Sequence, residues 1–487
     1  MPKLMRTLVL TGARSVQRHA RGRWRVAHGA RIAMAMLCAG CAVDAVAPAN
    51  GGRVVFLSLV PVAITLESGD TTRLVAAPRD SVGNIVPVRA AVSWRSDDSL
   101  VARVDSTGLV LAVGAGETRI AARVAGVEGR ATIRVVHPEV RSSYSEVSAG
   151  GAHTCALTTY GSVMCWGLNT EGQLGNGSFA SADRPVTVSG EVRAVALGTG
   201  TRHTCVAVQD GVPLCWGWNS VQQLGQSFMD KRSALPQPAA MGGRFTIMGG
   251  GSGHTCALRQ DGAVLCWGSD AVGQIGGDGG SGVVRVVAGG HAFVDLAVGW
   301  VHNCAVDTDG EAWCWGWNGF GQLGPRAPLH ECAANVPCAE TPVSVSAMAR
   351  FRTVAAGFGF SCAIDVSGAA WCWGSNAEGS LGAGPHDDSA SPVRVAGGHR
   401  FNEIDAGRAH TCAVTDTGQV WCWGANESGQ LGDLTRTPSP TPVLVPPGAA
   451  PARAVSAGAA HTCAVLADAS IRCWGHTADG RLGPFTD

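Results

Sequence analysis

Tyrosine and lysine are nearly missing from this chain, with 2 tyrosines and lysine only at Lys3 and Lys231 among 487 residues. The positive charge is therefore almost all arginine, which we read as the coding bias of a GC-rich genome. No long run of one charge sign occurs and the formal net charge is +0, so the electrostatic footprint of a nucleic-acid binder is missing. No apolar run reaches the roughly 20 residues needed to span a bilayer. No phosphate-binding loop, Ser/His/Asp set or carboxylate pair stands apart from the rest of the chain. Gly277-x-Gly279-x-x-Gly282 and Gly319-x-Gly321-x-x-Gly324 match a dinucleotide fingerprint in letters only, because no helix follows them. Asp307-Thr308-Asp309-Gly310 has the letters of a calcium loop but falls in a hairpin turn, and Asp387-Asp388 reads as a solvated loop pair. What the chain does have is 67 glycines without a collagen period and 18 cysteines. Glycine in that pattern marks many tight turns.

Two or more domains are expected at this length. Residues 1–41 read as an export signal. Arg14, Arg18, Arg21, Arg23, Arg25 and Arg31 form a positive region, and Ile32–Gly40 is a short apolar run ending in small residues. Cys38-Ala39-Gly40-Cys41 resembles a bacterial lipoprotein cleavage box, which implies a lipid anchor on Cys41. It departs from that box at Cys38, where Leu is usual; Leu37 sits one place too early. A plain signal peptide is the second reading and an unrelated tail the third. Either export reading implies an oxidising compartment in which cysteines pair, with any membrane contact made only through the anchor.

After a linker at 42–52, residues 53–137 alternate in short β-rich runs: Val60–Leu66, Arg73–Ala77, Val88–Trp94, Leu109–Val113, Thr118–Val124 and Ala131–Val136. Six or seven strands in about eighty residues suit a small sandwich. Val92–Asp98, Val104–Val110 and Gly116–Ile120 resemble the bacterial Ig-like domains of surface proteins. Trp94 is expected in the core, not as a glycan-stacking residue, and the domain reads as a spacer.

From 138 to 487 one unit recurs seven times. The Cys that opens each copy stands at 155, 205, 256, 304, 362, 412 and 463. A Gly precedes it by five residues (Gly150 in the first copy), Trp-Gly follows eleven residues after it (Trp166-Gly167), and an aliphatic residue with Gly lies eight beyond that Trp (Leu174-Gly175). These spacings hold in all seven copies, so every length difference falls between that Gly and the next copy. A rigid core with variable connections is the signature of a repeat architecture. The period predicts one antiparallel sheet per copy and seven sheets closing in a ring. The His-x-x-Ala-Leu, Trp-Gly-x-Asn and Gly-Gln-Leu-Gly elements resemble the regulator of chromosome condensation repeats, which implies an all-β seven-bladed β-propeller. Three departures are local: Phe360-Ser361-Cys362 for His-Thr-Cys, Gly379-Ser380-Leu381-Gly382 for Gly-Gln-Leu-Gly, and Gly480-Arg481-Leu482-Gly483. The seventh copy has no counterpart of the outer strands near Pro185–Val188 or Pro392–Val395, so a segment near Val135–Val140 is expected to pair with the strand holding Cys473.

Each copy has two cysteines ten positions apart: Cys155 and Cys165, Cys205 and Cys215, Cys256 and Cys266, Cys304 and Cys314, Cys362 and Cys372, Cys412 and Cys422, Cys463 and Cys473. Nine intervening residues allow a symmetrical hairpin with the two directly opposite, roughly 4.5–5.5 Å apart at Cα and within disulfide range. The three-residue turn ends in Gly in six copies, where φ > 0 is needed. Copy seven has Ala467-Asp468-Ala469 instead and should be strained or differently built. The competing reading is zinc, since His-x-Cys with a later Cys occurs six times, but zinc needs three or four convergent ligands. The family has the His without either Cys, which implies a backbone-bonding role for His153, His203, His254, His302, His410 and His461. No metal or cofactor is expected.

The connection after copy four is about eight residues longer and holds Cys332 and Cys338, read as a local disulfide across the loop from Pro325 to Thr341. Arg326, Leu329, His330, Glu331 and Asn335 are its candidate partner contacts; an ornamental loop is the alternative. Without catalytic chemistry, the reading is an exported or cell-surface binding module. Its partner would be a protein, with a glycan possible and nucleic acid excluded. The nucleotide-exchange activity of the family's namesake and a polysaccharide-active enzyme are the alternatives; the first needs a cytosolic partner and the second a cluster of loop carboxylates.

Overall fold

The computed structural model describes residues 54–136 and 143–486, apart from short internal stretches of which the longest are 226–229 and 278–283. The predicted export signal, Cys41 and the linker lie outside the described residues.

Residues 54–136 form a β-sandwich. One sheet has the order Ala63–Glu67, Val127–Val136, Gly116–Val124, Ser93–Ser96, and a second has Thr71–Arg73, Leu109–Ala112, Ala102–Val104. A further pair joins Phe56–Val60 to Val75–Arg79. Alternate residues of these strands point inward, so Leu57, Leu59, Val110, Ile120 and Ile133 form a closed core with Trp94 packed against it. The expected core role of Trp94 holds.

Seven antiparallel sheets follow, each starting with an inner strand such as Tyr144–Ala149, a second such as His153–Thr158 and a third such as Val163–Gly167. An outer strand such as Ala182–Thr187 completes blades one to six. Blade four gains a fifth, His330–Cys332, from its long connection, and blade seven has three among the described residues. Among the described residues the predicted closing strand is not there. Val135 and Val136 instead pair with Leu66 and Glu67 in the sandwich, and the Cys473 amide donates 2.9 Å to the Phe485 carbonyl. Residues 137–142 lie outside the described residues.

All seven predicted pairings are disulfides, with Cα separations of 4.0–4.1 Å. That is below the expected range, and the ladder explains it. The Thr158 amide bonds the Ser162 carbonyl at the hairpin end, so alternation makes Cys155 and Cys165 a non-hydrogen-bonded pair, where side chains approach most closely. Each bridge closes a small loop worth on the order of 3 kcal/mol in the loop-entropy model. The turn glycines behave as expected at Gly161, Gly262, Gly310, Gly368 and Gly418, with φ between 77° and 90°. Ala469 is forced to φ 65° at the same place in blade seven, a region that costs a residue with a Cβ. In blade two the hairpin pairing stops at Val206 and Leu214, one residue short of the turn-side pairs seen in the other blades.

The blades are joined through one backbone carbonyl each. The Gln173 carbonyl of blade one accepts the Trp216 indole N–H at 2.9 Å and the Thr204 hydroxyl at 3.0 Å, both from blade two. Gln223, Gln322 and Gln430 accept the same two donors from the blade after them. Across the closing seam the Arg481 carbonyl accepts Thr154 at 2.8 Å and Trp166 at 2.9 Å. The ring therefore closes by the device that joins blades one to two, two to three, four to five and six to seven, not by strand exchange. Between blades three and four the Gln274 carbonyl takes the Asn303 side-chain amide, and the Trp315 indole N–H has no partner among the described residues. Tyr144, Val147 and Trp166 of blade one pack against Val465, Ile471 and Leu482 of blade seven in one shared core.

The six histidines belong to this joint, and their predicted backbone bond is corrected. His153 Nε2 lies 2.9 Å from Thr204 Oγ1, and His461 Nε2 lies 2.8 Å from Thr154 Oγ1. Asn303 and Ser361 stand in for the Thr opposite His254 and His302. Because the Thr hydroxyl has a single proton and gives it to the carbonyl, it must accept from the histidine. Each ring is thus the neutral Nε2–H tautomer. Burial pushes their pKa down, to about 3 for His153, His203 and His302 and about 4 for His254 and His410.

Two outcomes follow. Thiol titration of the native, unreduced protein should find none of the sixteen described cysteines reactive, and several reactive thiols would defeat the pairing. The unfolded chain protonates its histidines below about pH 6.5 while the folded chain does not, so their contribution is fully present above that pH and is lost as pH falls toward 4. His302→Phe, which copies the residue natural to blade five, should cost about 1 kcal/mol at pH 7 through the lost hydrogen bond. By urea unfolding the deficit should shrink at pH 4.5, and an equal penalty at both values would refute the buried neutral histidine.

Candidate functional site

The residue after each repeat Gly lines one mouth of the ring. In five blades its amide reaches the Gly carbonyl of the next blade: Gly151 to Gly200 at 3.3 Å, Thr201 to Gly251 at 3.1 Å, Trp300 to Gly357 at 3.2 Å, Arg408 to Gly458 at 3.2 Å and Ala459 to Gly150 at 3.1 Å. The Ser252 and Phe358 amides reach the Trp300 and Arg408 carbonyls instead. The Gly before it is required by close approach. A Cβ on Gly407 would stand 2.2 Å from the Gly458 carbonyl oxygen, and one on Gly150 would stand 2.6 Å from Gly200. Seven side chains thus stand around the mouth in sequence. Gly151, Thr201, Ser252 and Ala459 are small, while Trp300, Phe358 and Arg408 are large and adjacent.

Trp317 and Phe320 extend that large sector. Trp317 lies 5.3 Å from Phe320 and 5.5 Å from Phe358 by ring centroids, and Trp300 lies 6.1 Å from Phe358. The Arg408 guanidinium sits 5.9 Å from the Trp300 ring. Phe320 and Phe358 remain 40% and 37% exposed, so this is an open aromatic platform and not a core. The disulfide hairpin of blade four adjoins it, since Trp317 pairs with Cys338 and the Asn318 amide donates to the Pro337 carbonyl.

Inside the channel, carboxylates converge that sequence reading had missed. Aligned inner strands place Glu146, Asp295 and Glu403 at their third position, where other blades have Ala196, Ile247, Thr353 and Ala454, and Asp405 at the fifth position. The signal in the sequence is an acidic residue at a strand position that is apolar or neutral in the other copies. These four side chains share a cavity of about 280 Å³. Three of them tie their blade to the next: Glu146 accepts the Leu197 amide at 3.3 Å, Asp295 the Val354 amide at 2.9 Å and Asp405 the Ala457 amide at 2.8 Å. Burial raises Glu146 to about 7 and Asp405 to about 6, and it raises Asp295 as well. Glu403 faces channel water, yet enclosure by the ring and then the charges of Asp405 and Asp295 push it up to about 7, against the opposing pull of Arg352.

The remaining predicted site residues are scattered. Cys332 and Cys338 are bonded as expected. Arg326 is exposed and its guanidinium reaches the Ser344 hydroxyl at 3.3 Å. Glu331 is exposed in the added strand, while Leu329 and Asn335 lie outside the described residues. Among the described residues no group of three or more His, Cys, Asp or Glu is placed to hold a metal ion.

A carboxyl whose folded pKa is raised binds protons that the unfolded chain has released, so its stabilisation is fully present below about pH 4 and is lost as pH rises toward 7. Glu403→Gln should therefore raise the thermal midpoint at pH 8 and leave it unchanged at pH 4.5. A variant that is neutral or destabilised at pH 8 would show that the channel charge is not held at a cost.

The Regulator of chromosome condensation (RCC1) repeat models match residues 144–173, 246–274, 293–322, 351–380, 401–430 and 452–481, and in a second form 160–207, 309–364, 367–414 and 417–465. The Bacterial Ig-like domain (group 2) model matches 53–136. Among solved structures, human WBSCR16 is 22% identical with TM-score 0.61, covering 72% of this chain and 92% of its own. Prp20p of Saccharomyces cerevisiae is 18% identical with TM-score 0.60, covering 81% and 93%. Identities this low establish the fold alone. The chain belongs to the regulator of chromosome condensation (RCC1) repeat family and has a bacterial Ig-like domain ahead of its seven-bladed propeller.

Proposed function

We propose that this chain is an exported, non-catalytic binding module that docks a protein partner on the aromatic sector of its propeller mouth. The observation that carries the reading is the asymmetry of a ring whose scaffold repeats. Four mouth positions hold small residues, and the three large ones are consecutive and continuous with Trp317 and Phe320. Aromatic residues and Arg are the side chains on which interface energy concentrates. The fold relatives fit protein binding: Kap60 is bound to the yeast protein, whose binding properties toward Gsp1p and histones are also described. Export is supported by the Arg-rich start, the apolar run before Cys41, the disulfides and the Ig-like domain. We place the protein at the cell surface or in the periplasm, with Cys41 as a lipid anchor. An exported protein does not meet a cytosolic GTPase, which disfavours the exchange activity of the namesake. The channel acids sit on inner strands, and three of them hold backbone amides. That disfavours the polysaccharide-active alternative, which needs carboxylates on a loop face.

The test replaces the sector with residues natural to other blades: Trp300→Thr, Phe358→Ala and Phe320→Glu together. In photo-crosslinking on intact producing cells, followed by fractionation, the wild type should capture a discrete partner outside the cytoplasm and the triple variant should lose at least ten-fold of it. An unchanged capture profile, or a cytoplasmic location, overturns the proposal.

A further inference from the structure

Blade five departs from the repeat at two places that the binding reading leaves unused, and a cavity lies where they meet. Phe360 stands where the other six blades have His, and Ser380 stands where five of them have Gln and blade seven has Arg481. Elsewhere the long side chain folds back into the joint between blades. Gln173 Oε1 accepts the Glu171 amide at 2.9 Å and Gln430 Oε1 the Ser428 amide at 2.9 Å, and both residues are buried. Ser380 is three heavy atoms shorter and turns its hydroxyl to the Ser375 carbonyl at 2.8 Å. The result is a cavity of about 500 Å³ over blades five and six, lined by Phe320, Phe358 and Phe360 on one side. It opens onto the aromatic platform through the shared Phe320 and Phe358.

The polar edge of this cavity has Glu378 and Glu427, both exposed and neither in a hydrogen bond or ion pair within the described residues. Arg408 is the one cation of the lining, and its guanidinium lies over Trp300. Two free carboxylates facing a wall of aromatic rings suit a cation, which gains from the ring faces as well as from the charges. An anion would meet two carboxylates against the single Arg408, which is turned onto Trp300.

We propose that this cavity receives a cationic side chain, arginine or lysine, presented by the partner protein. This rests on the protein-binding reading above and names the anchor that such a partner would insert. The phenylalanine rings would flank the methylene stem while Glu378 and Glu427 take the charged head.

The test measures fluorescence polarisation of labelled tetra-arginine, with tetra-citrulline as the neutral equivalent, on the full chain. The wild type should bind tetra-arginine at least ten-fold tighter than tetra-citrulline. Ser380→Gln restores the residue of five other blades and alters no charge, so it should fold with an unchanged thermal midpoint and lose at least ten-fold of that binding. The double change Glu378→Gln with Glu427→Gln should lose as much, and Glu171→Gln on blade one should lose nothing. Equal binding by Ser380→Gln, or by tetra-citrulline, overturns the inference. So does binding of cellohexaose or chitohexaose that Ser380→Gln abolishes while tetra-arginine stays unbound, which would assign the cavity to a glycan. If tetra-arginine fails but the triple mouth variant still loses its partner, only the cavity assignment falls; if both fail, the protein-binding reading falls with it.

Discussion

Seven separate sheets become one body only if each grips the next, and here the grip is a single backbone carbonyl per blade. At five of the seven joints that oxygen collects the indole N–H and the hydroxyl of the following blade, and the hydroxyl in turn receives a neutral histidine from the blade before it. Nearly all the participants are buried, so their hydrogen bonds have little competition from water, and an unmade one is costly; the buried Trp315 indole N–H, without an acceptor among the described residues, is the exception. Because the acceptor is main chain, the residue that supplies it can change without breaking the joint. Ser380 and Arg481 stand in for Gln on those terms, and Trp423 still donates to the Ser380 carbonyl at 3.0 Å.

The disulfides act inside a blade and the carbonyl relay acts between blades, so the two stabilise different things. Each cystine sits at a non-hydrogen-bonded ladder position and takes no amide or carbonyl away from the sheet. The relay leaves the residues above it free to diverge, at the mouth and in the connections. Variation is therefore concentrated where a partner can reach it, and blade five, which has both Phe360 for His and Ser380 for Gln, lies beside the aromatic platform.

Charge in the channel follows the same division. Glu146, Asp295 and Asp405 cross from one blade to the next as acceptors of backbone amides, and Glu403 lies among them with Arg352 as the nearest compensating charge. Their raised pKa values mark groups whose ionised form burial disfavours, and the histidine joints resist protonation from the other direction. The ring is thus loaded by carboxylates as pH rises and by histidines as it falls.

Much of this was legible in the residues. Constant spacing of Gly, Cys, Trp and Leu-Gly set the blade count. The ten-residue Cys interval set the cystines, because two residues symmetric about a hairpin turn must face each other. The glycine at the turn and its replacement by Ala469 were readable for the same local reason. What tertiary structure alone decided is whatever depends on which blades are neighbours. The histidine's partner lies about fifty residues away in the next copy, and the seam closes by the relay rather than by Val135 and Val136. The channel acids meet only because seven inner strands converge on one axis. Trp300, Phe358 and Arg408 are unremarkable in their own copies and become a surface because a ring sets the same position of successive copies side by side.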